Sequence, residues 1–408
     1  MDITLYKSST NKSSSVNITG SKSESNRLLL LQALYPNIHI KNLSNSDDSV
    51  LMQKALNSKN NIIDVHHAGT AMRFLTAYFS IQKDTEITLT GSSRMKERPI
   101  KILVNALRSL GAEITYLENE GFPPLKIKGT KLIKNEVSLD ANVSSQYISA
   151  LLLIASKLEN GLKLNLKGKI TSIPYINMTL SLLNQIEVTT DFKNNTISVQ
   201  PSKGEAKTQS LTVESDWSSA SYFYSIAALS DLGTEIQLAS YKKDSLQGDS
   251  VLSEIYKQFG VKTTYNKHTL TLEKSAKTSK NTTIDLDLSS APDIAQTIAV
   301  TAFGLGLECK LTGLHTLKIK ETDRLVALKT ELEKLGAQVD ITLDTLQLKP
   351  SNKIKNKRVI ETYNDHRMAM AFAPLALKTE ITVKDANVVS KSYPQFWEDL
   401  KAIGFNLK

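Results

Sequence analysis

The sequence predicts an α+β protein of two domains, each built from three similar units. Two observations carry this prediction. The chain has 408 residues, more than one hydrophobic core ordinarily serves, since domains run to roughly 100–200 residues. A local pattern also recurs along it: an amphipathic helix ends at a glycine or its equivalent, and two short strands of alternating polarity follow around a polar turn.

The first copy runs from Ile102 to Leu110, through Gly111-Ala112-Glu113-Ile114-Thr115-Tyr116, to Leu125-Lys126-Ile127. The second has a helix from Met178 to Leu183, a strand at Ile186-Glu187-Val188, a turn at Asn194-Asn195 and a strand at Thr196-Ile197-Ser198-Val199. The third joins a helix from Val251 to Phe259 to Gly260-Val261-Lys262-Thr263, a turn at Asn266-Lys267 and Leu270-Thr271-Leu272. The fourth joins a helix from Arg324 to Leu335 to Gly336-Ala337-Gln338-Val339, a turn near Asp344 and Leu346-Gln347-Leu348. A fifth begins at Phe396 and stops at Gly404-Phe405. The markers Gly111, Gln185, Gly260, Gly336 and Gly404 are separated by 74, 75, 76 and 68 residues, a regularity that points to internal duplication. Glycine at such a place supplies the left-handed residue that ends a helix. A helix over 49–56 and a strand at Ile62-Ile63-Asp64-Val65 supply a sixth, atypical unit.

Six units divide into two domains. The Lys-, Gly- and Ser-rich stretch after Pro201 reads as a boundary, which places the change of domain at Val213-Glu214. The first strand, Ile3 to Tyr6, is expected to pair with the second domain. The predicted domains are therefore 20–213, and 1–19 together with 214–408.

The formal net charge is +9. That suits nucleic acid, an anionic membrane or small phosphorylated substrates, and a lysine-rich solvated surface explains it equally well. Aromatic residues make up only 6% of the chain, and the cations sit in loops beside acids. Both features argue against a nucleic-acid-binding module, which interleaves basic residues with stacking rings. The single cysteine, Cys309, excludes an intramolecular disulfide and any multi-cysteine metal site, and reads as a buried strand residue. The histidines lack metal-ligand spacing on one helix. The N-terminus lacks a basic start and an apolar run, and no stretch approaches the roughly 20 apolar residues of a membrane span. A cytoplasmic, monomeric enzyme is the expectation.

Seven polar segments lie at predicted helix starts. Gly20-Ser21-Lys22-Ser23-Glu24-Ser25-Asn26-Arg27 precedes an apolar helix from Leu28 to Leu34. Ala68-Gly69-Thr70-Ala71-Met72-Arg73 precedes a helix from Phe74 to Phe79, and Gly91 to Ile100 holds Arg94, Lys96 and Arg98 before another. Then come Asn142-Val143-Ser144-Ser145-Gln146-Tyr147, Lys320-Glu321-Thr322-Asp323-Arg324, Asn364-Asp365-His366-Arg367 and Lys391-Ser392-Tyr393-Pro394. Free N–H groups and the helix dipole add to cationic side chains in binding an anion. Each segment alone is equally an ordinary cap or a solvated charge run; together they suit a polyanionic ligand pair.

Taken in order, these motifs resemble the 5-enolpyruvylshikimate-3-phosphate synthases, an enolpyruvyl transferase family, over nearly the whole chain. The resemblance rests on Gly20 to Ser23 with Asn26-Arg27, Ala68 to Arg73, Arg94 to Ile100, Ser144-Ser145-Gln146, Pro292-Asp293, Lys320 to Arg324, Asn364 to Arg367, and Lys391. It implies an inside-out α/β fold of two domains, each of three βαβαββ units, with the active site in the cleft between them. The implied reaction moves the enolpyruvyl group of phosphoenolpyruvate to shikimate 3-phosphate, with no metal or organic cofactor.

The resemblance also implies residue roles. Phosphoenolpyruvate is held by Lys22, Arg94, Arg324, Arg367 and Lys391, with Gly69 lining its phosphate site. Shikimate 3-phosphate is held by Ser23, Arg27, Ser144, Ser145, Gln146, Ser172, Tyr175 and Lys320. Asp293 accepts the proton of the attacking hydroxyl, Glu321 protonates the methylene carbon, and Lys22 belongs to the catalytic set. The domain 20–213 is implied to serve mainly shikimate 3-phosphate. The other is implied to carry the phosphoenolpyruvate side and the carboxylates. The sister enzyme acting on UDP-N-acetylglucosamine uses a cysteine in the loop corresponding to 91–99, where this chain has none. Three departures from the family pattern stand out: His67 where Asn is usual, Phe74 where Pro is common, and Thr316 where Asn is frequent.

Overall fold

The computed structural model describes residues 1–140, 144–168, 170, 173–202 and 207–408. The chain forms two compact units, Gly20–Val213 and Met1–Thr19 with Glu214–Lys408.

Gly20–Val213 contains two four-stranded sheets of one design. In the first, Ile62–Asp64 runs parallel to Glu86–Thr90, which pairs antiparallel with Leu125–Lys128 and through it with Glu113–Tyr116. In the second, Glu136–Asp140 is parallel to Leu162–Lys167, and the hairpin of Thr196–Val199 and Thr190–Lys193 is added antiparallel. The connections include the helices Gly69–Ser80 and Lys101–Leu110 in one case, and Ser145–Ala155 and Ile173–Gln185 in the other, so each is a βαβαββ unit. Ile38–Lys41 and Gln209–Thr212 form a separate parallel pair. The two ends of this unit meet: a Cβ on Gly20 would lie 2.7 Å from Val213 Cγ1 and 1.9 Å from the Asn42 carbonyl oxygen, which only glycine permits.

The other unit repeats the design. Ser13–Val16 is parallel to Glu235–Ala239, followed antiparallel by Thr269–Lys274 and Val261–Asn266. Thr283–Asp287 is parallel to Glu308–Thr312, followed by Leu346–Leu348 and Val339–Ile341. Arg358–Ile360 is parallel to Ile381–Val383, and Ile3–Leu5 completes that sheet antiparallel to Ile381–Val383.

Sequence pattern explains these elements. In Leu125–Lys128 the apolar residues face in and the lysines out, the period of two that a half-buried strand requires. Lys101–Leu110 buries Leu103, Val104, Leu107 and Leu110 on one stripe, each contributing about 2 kcal/mol of apolar burial. Gly111, Gly260, Gly336 and Gly404 have left-handed backbones, with φ of 112°, 73°, 102° and 111°. The second marker is corrected: the left-handed residue is Glu187, φ 63°, two positions past Gln185. Glu187 lies in the turn that follows the helix Ile173–Gln185, and the next residue, Val188, bonds back to the Leu183 carbonyl as Ala112 does to Leu107. Asn194 and Asn195 both take left-handed conformations between their strands, the asparagine-rich hairpin turn expected there. Cys309 is buried in Glu308–Thr312. Among the described residues no helix is long and apolar enough to cross a membrane.

Candidate active site

Within Gly20–Val213, polar residues gather at helix starts that lie earlier than the apolar pattern predicts. The first helix begins at Lys22, with Ser21 preceding it, not at Leu28. Lys22 and Ser23 are thus its first turn, and Arg27 lies inside it, 2% exposed. Arg27 Nε donates to Thr179 Oγ1 at 2.7 Å, Nη2 to Ser149 Oγ at 2.9 Å and Nη1 to the Ser23 carbonyl at 2.7 Å. Nη2 also reaches the Tyr175 carbonyl at 3.3 Å. The guanidinium lies over the rings of Phe74 and Tyr175, 5.5 and 6.0 Å from their centroids.

The next helix begins at Gly69, not Phe74. Arg73 is therefore on its second turn, buried, with Nη1 donating to the Gly69 carbonyl at 2.8 Å and Nη2 to the Pro99 carbonyl at 3.3 Å. Burial lowers both arginines to about 10, and for Arg73 the neighbouring Arg98 adds to the effect. Neither makes an ion pair with a carboxylate among the described residues. Gln146 Nε2 donates to Thr70 Oγ1 at 3.2 Å, and the Tyr147 hydroxyl to the Pro99 carbonyl at 2.6 Å. Ser144 caps the helix Ser145–Ala155, and Ser145, its first residue, is buried. Arg27, Gly69, Ser144, Ser145, Gln146 and Tyr175 thus belong to one connected set.

Other candidates lie differently. Arg94 Nη1 is bound to Glu97 at 2.7 Å with its side chain half exposed. Ser172 lies outside the described residues, as do Asn142 and Val143 of the segment before it. Arg98 had no assigned role, yet a Cβ on Gly69 would stand 2.5 Å from its Nη1, so its guanidinium lies against the glycine. His67 Nδ1 is 2.8 Å from His66 Nδ1 and its Nε2 3.7 Å from Asp47.

The second set lies in the other unit and centres on Arg324, the first residue of the helix Arg324–Lys334 and 1% exposed. Its Nε donates to Asp365 Oδ2 at 2.7 Å, Nη1 to Asp293 Oδ1 at 2.8 Å and Nη2 to Glu321 Oε2 at 2.7 Å. Lys320 Nζ stands 3.4 Å from Asp293 Oδ1, and Arg367 Nη2 3.2 Å from Asp293 Oδ2. Burial alone would raise the Asp293 carboxyl, but Arg367, Lys320 and Arg324 outweigh it and hold the group well below the usual carboxylate range. Asp365 also caps the helix His366–Phe372, accepting from the Arg367 N–H. It follows Tyr363 and Asn364, consecutive non-glycine residues at φ 52° and 57°. Such strain needs outside support, and Lys391 Nζ supplies it by donating to the Asn364 carbonyl at 2.6 Å and its Oδ1 at 2.9 Å. Thr316 sits on the turn His315–Ile319 ahead of Lys320, its buried Oγ1 without a partner among the described residues.

Asp365 was inside a quoted motif but had no role in the sequence reading; an Asp immediately before a helix is itself the signal of a cap. Chemically, the set offers three carboxylates and several cations around one buried arginine, which suits proton transfer on an anionic substrate.

A family model described as EPSP synthase (3-phosphoshikimate 1-carboxyvinyltransferase) matches residues 52–400. A 3-phosphoshikimate 1-carboxyvinyltransferase of Bacteroides fragilis is 46% identical over 398 residues, 96% of each chain. One from Mannheimia haemolytica is 37% identical, covering 95% of this chain and 96% of its own. Among solved structures, an EPSP synthase from Acinetobacter baumannii superposes with a TM-score of 0.81 at 21% identity, over 100% of this chain and 99% of that one. At that identity the likeness speaks for the fold; the family follows from the sequence matches: the chain belongs to the EPSP synthase (3-phosphoshikimate 1-carboxyvinyltransferase) family.

Proposed function

We propose that the two residue sets divide the work of one enolpyruvyl transfer. The chain transfers the enolpyruvyl group of phosphoenolpyruvate to the 5-hydroxyl of shikimate 3-phosphate and releases phosphate, a step of the shikimate pathway. Ser23, Arg27, Ser144, Ser145, Gln146, Ser172 and Tyr175, joined by Lys320, hold shikimate 3-phosphate. Lys22, Arg94, Arg324, Arg367 and Lys391 hold phosphoenolpyruvate, whose phosphate lies against Gly69. The enzyme works as a cytoplasmic monomer.

The observation that supports this reading most is the placement of Asp293 and Glu321 on the two terminal nitrogens of one buried arginine. Glu321 delivers a proton to the methylene carbon of phosphoenolpyruvate, which makes its neighbouring carbon electrophilic. The 5-hydroxyl of shikimate 3-phosphate forms a C–O bond to that carbon as Asp293 takes its proton. The tetrahedral intermediate then breaks the bond to phosphate and returns a methyl proton to the Glu321 carboxylate, restoring the double bond. With three cations around it, Asp293 is a weak base. Anionic substrates that draw Arg367 and Lys320 to themselves would raise its basicity when it is needed. Lys22, in the first turn of its helix, completes the catalytic set.

Phosphate release that requires both substrates is the test; a pure sample that releases none refutes the reading. Glu321→Gln should lower kcat about 100-fold or more while substrate binding persists. Unchanged turnover in that variant removes Glu321 from the mechanism.

A further inference from the structure

Asp249 takes no part in the reaction as written, yet it is tied to the reacting cluster. It lies on the short turn Gly248–Val251 and is 2% exposed. Its Oδ2 accepts a hydrogen bond from the Ser218 hydroxyl. The Ser218 oxygen in turn accepts from Arg367 Nη2 at 3.2 Å. The same nitrogen stands 3.2 Å from Asp293 Oδ2, and Arg367 Nη1 donates to the Asp293 carbonyl at 3.0 Å. All four residues belong to one unit.

A hydroxyl has one proton and two acceptor sites. Because Ser218 spends its proton on Asp249, only lone pairs remain for Arg367, and the rotor is fixed. Arg367 is therefore anchored both at Asp293 and at Ser218. An anion that draws the guanidinium away from Asp293 leaves the second anchor in place. Asp249 Oδ1 has no hydrogen-bond partner among the described residues. A buried carboxylate left half-satisfied is costly, and nothing in the local turn requires it. Burial and the nearby Asp293 raise its carboxyl to about 6, against the pull of Arg367 and the Ser218 bond, so at neutral pH it is charged.

We propose that Asp249, acting through Ser218, is a positioning residue for Arg367 that sets its guanidinium for phosphoenolpyruvate without touching the substrate. The proposal rests on the reading that Arg367 holds phosphoenolpyruvate.

Steady-state kinetics on the full chain test it with Ser218→Ala, Asp249→Ala, which removes the acceptor of the Ser218 proton, their double variant, Ser218→Thr and Arg367→Lys. The KM for phosphoenolpyruvate should rise about 10-fold in each of the first two, the worth of one hydrogen bond to a charged group. The KM for shikimate 3-phosphate and kcat should change less than about 3-fold. The double variant should be no worse than either single one, since both break one chain. Ser218→Thr, which keeps the hydroxyl, should restore the parent value. Effects that multiply in the double variant, or a joint rise in both KM values with a fall in Tm, overturn the relay. An unchanged phosphoenolpyruvate KM in Ser218→Ala and Asp249→Ala but not in Arg367→Lys overturns the relay alone; an unchanged value in Arg367→Lys also overturns the assignment of Arg367.

Discussion

Arg27 and Arg324 are both within 2% of complete burial, yet their partners differ in kind. Arg27, in Gly20–Val213, is held by hydroxyls, carbonyls and two aromatic rings. Arg324, in the other unit, is held by three carboxylates. In the first arrangement Tyr175 and Glu24 favour the positive charge only in part, and burial outweighs them and lowers the group to about 10. The second neutralises the charge and raises the guanidinium further above its ordinary value, the carboxylates outweighing burial. A cation of the first kind gains most from a ligand's anion. A cation of the second kind is chiefly an organiser of acids. The contrast accords with the proposal that one set holds a phosphorylated, hydroxylated ring acid and the other transfers protons.

The largest expected effect is on stability. Arg324→Met strands Asp293, Glu321 and Asp365 around an apolar side chain, and should cost about 3–5 kcal/mol in urea unfolding. Arg27→Met should change stability by only about 1 kcal/mol, because among the described residues no carboxylate is ion-paired to it and a buried charge is removed. Equal losses in both variants would break the comparison.

A smaller effect separates the two buried acids. Asp293 is depressed, so its contribution to stability is present above the unfolded value near 4 and is lost as pH falls below it. Asp249 is raised to about 6. Between about pH 4 and 6 the folded state holds a proton that the unfolded chain has released, so this group's contribution falls as pH rises. Asp249→Asn should therefore be about 1–3 kcal/mol more stable than the parent at pH 7 and level with it near pH 4, as thermal unfolding across that range would show. That gain in Asp249→Asn, beside weakened phosphoenolpyruvate binding in Asp249→Ala, would mark Asp249 as retained for function. The smallest effect concerns the repeat: Glu187→Gly should gain about 1 kcal/mol by relieving the left-handed strain that Gly111 and Gly336 avoid.

The repeated units were legible in the sequence because glycine caps and alternating strands are local signals. Helix starts were not. Lys22 to Asn26 and Gly69 to Arg73 are helical although their polarity has no apolar period; Glu24, Ser25 and Asn26 are buried because their unit packs polar groups at its site. Glu187 was missed because its conformation is imposed by the turn, not by its residue type. Arg98 was singled out within a cationic loop, but its place against Gly69 was not; Ser218 and Asp249 were invisible because their partners lie far along the chain, and only folding brings them together.

Direct binding of shikimate 3-phosphate alone, by calorimetry, tests the division between the two arginine environments most simply. The account predicts that Arg27→Met weakens this binding by about 10-fold or more, while Arg367→Lys binds as the parent does. Equal weakening in both variants, or loss only in Arg367→Lys, would contradict it.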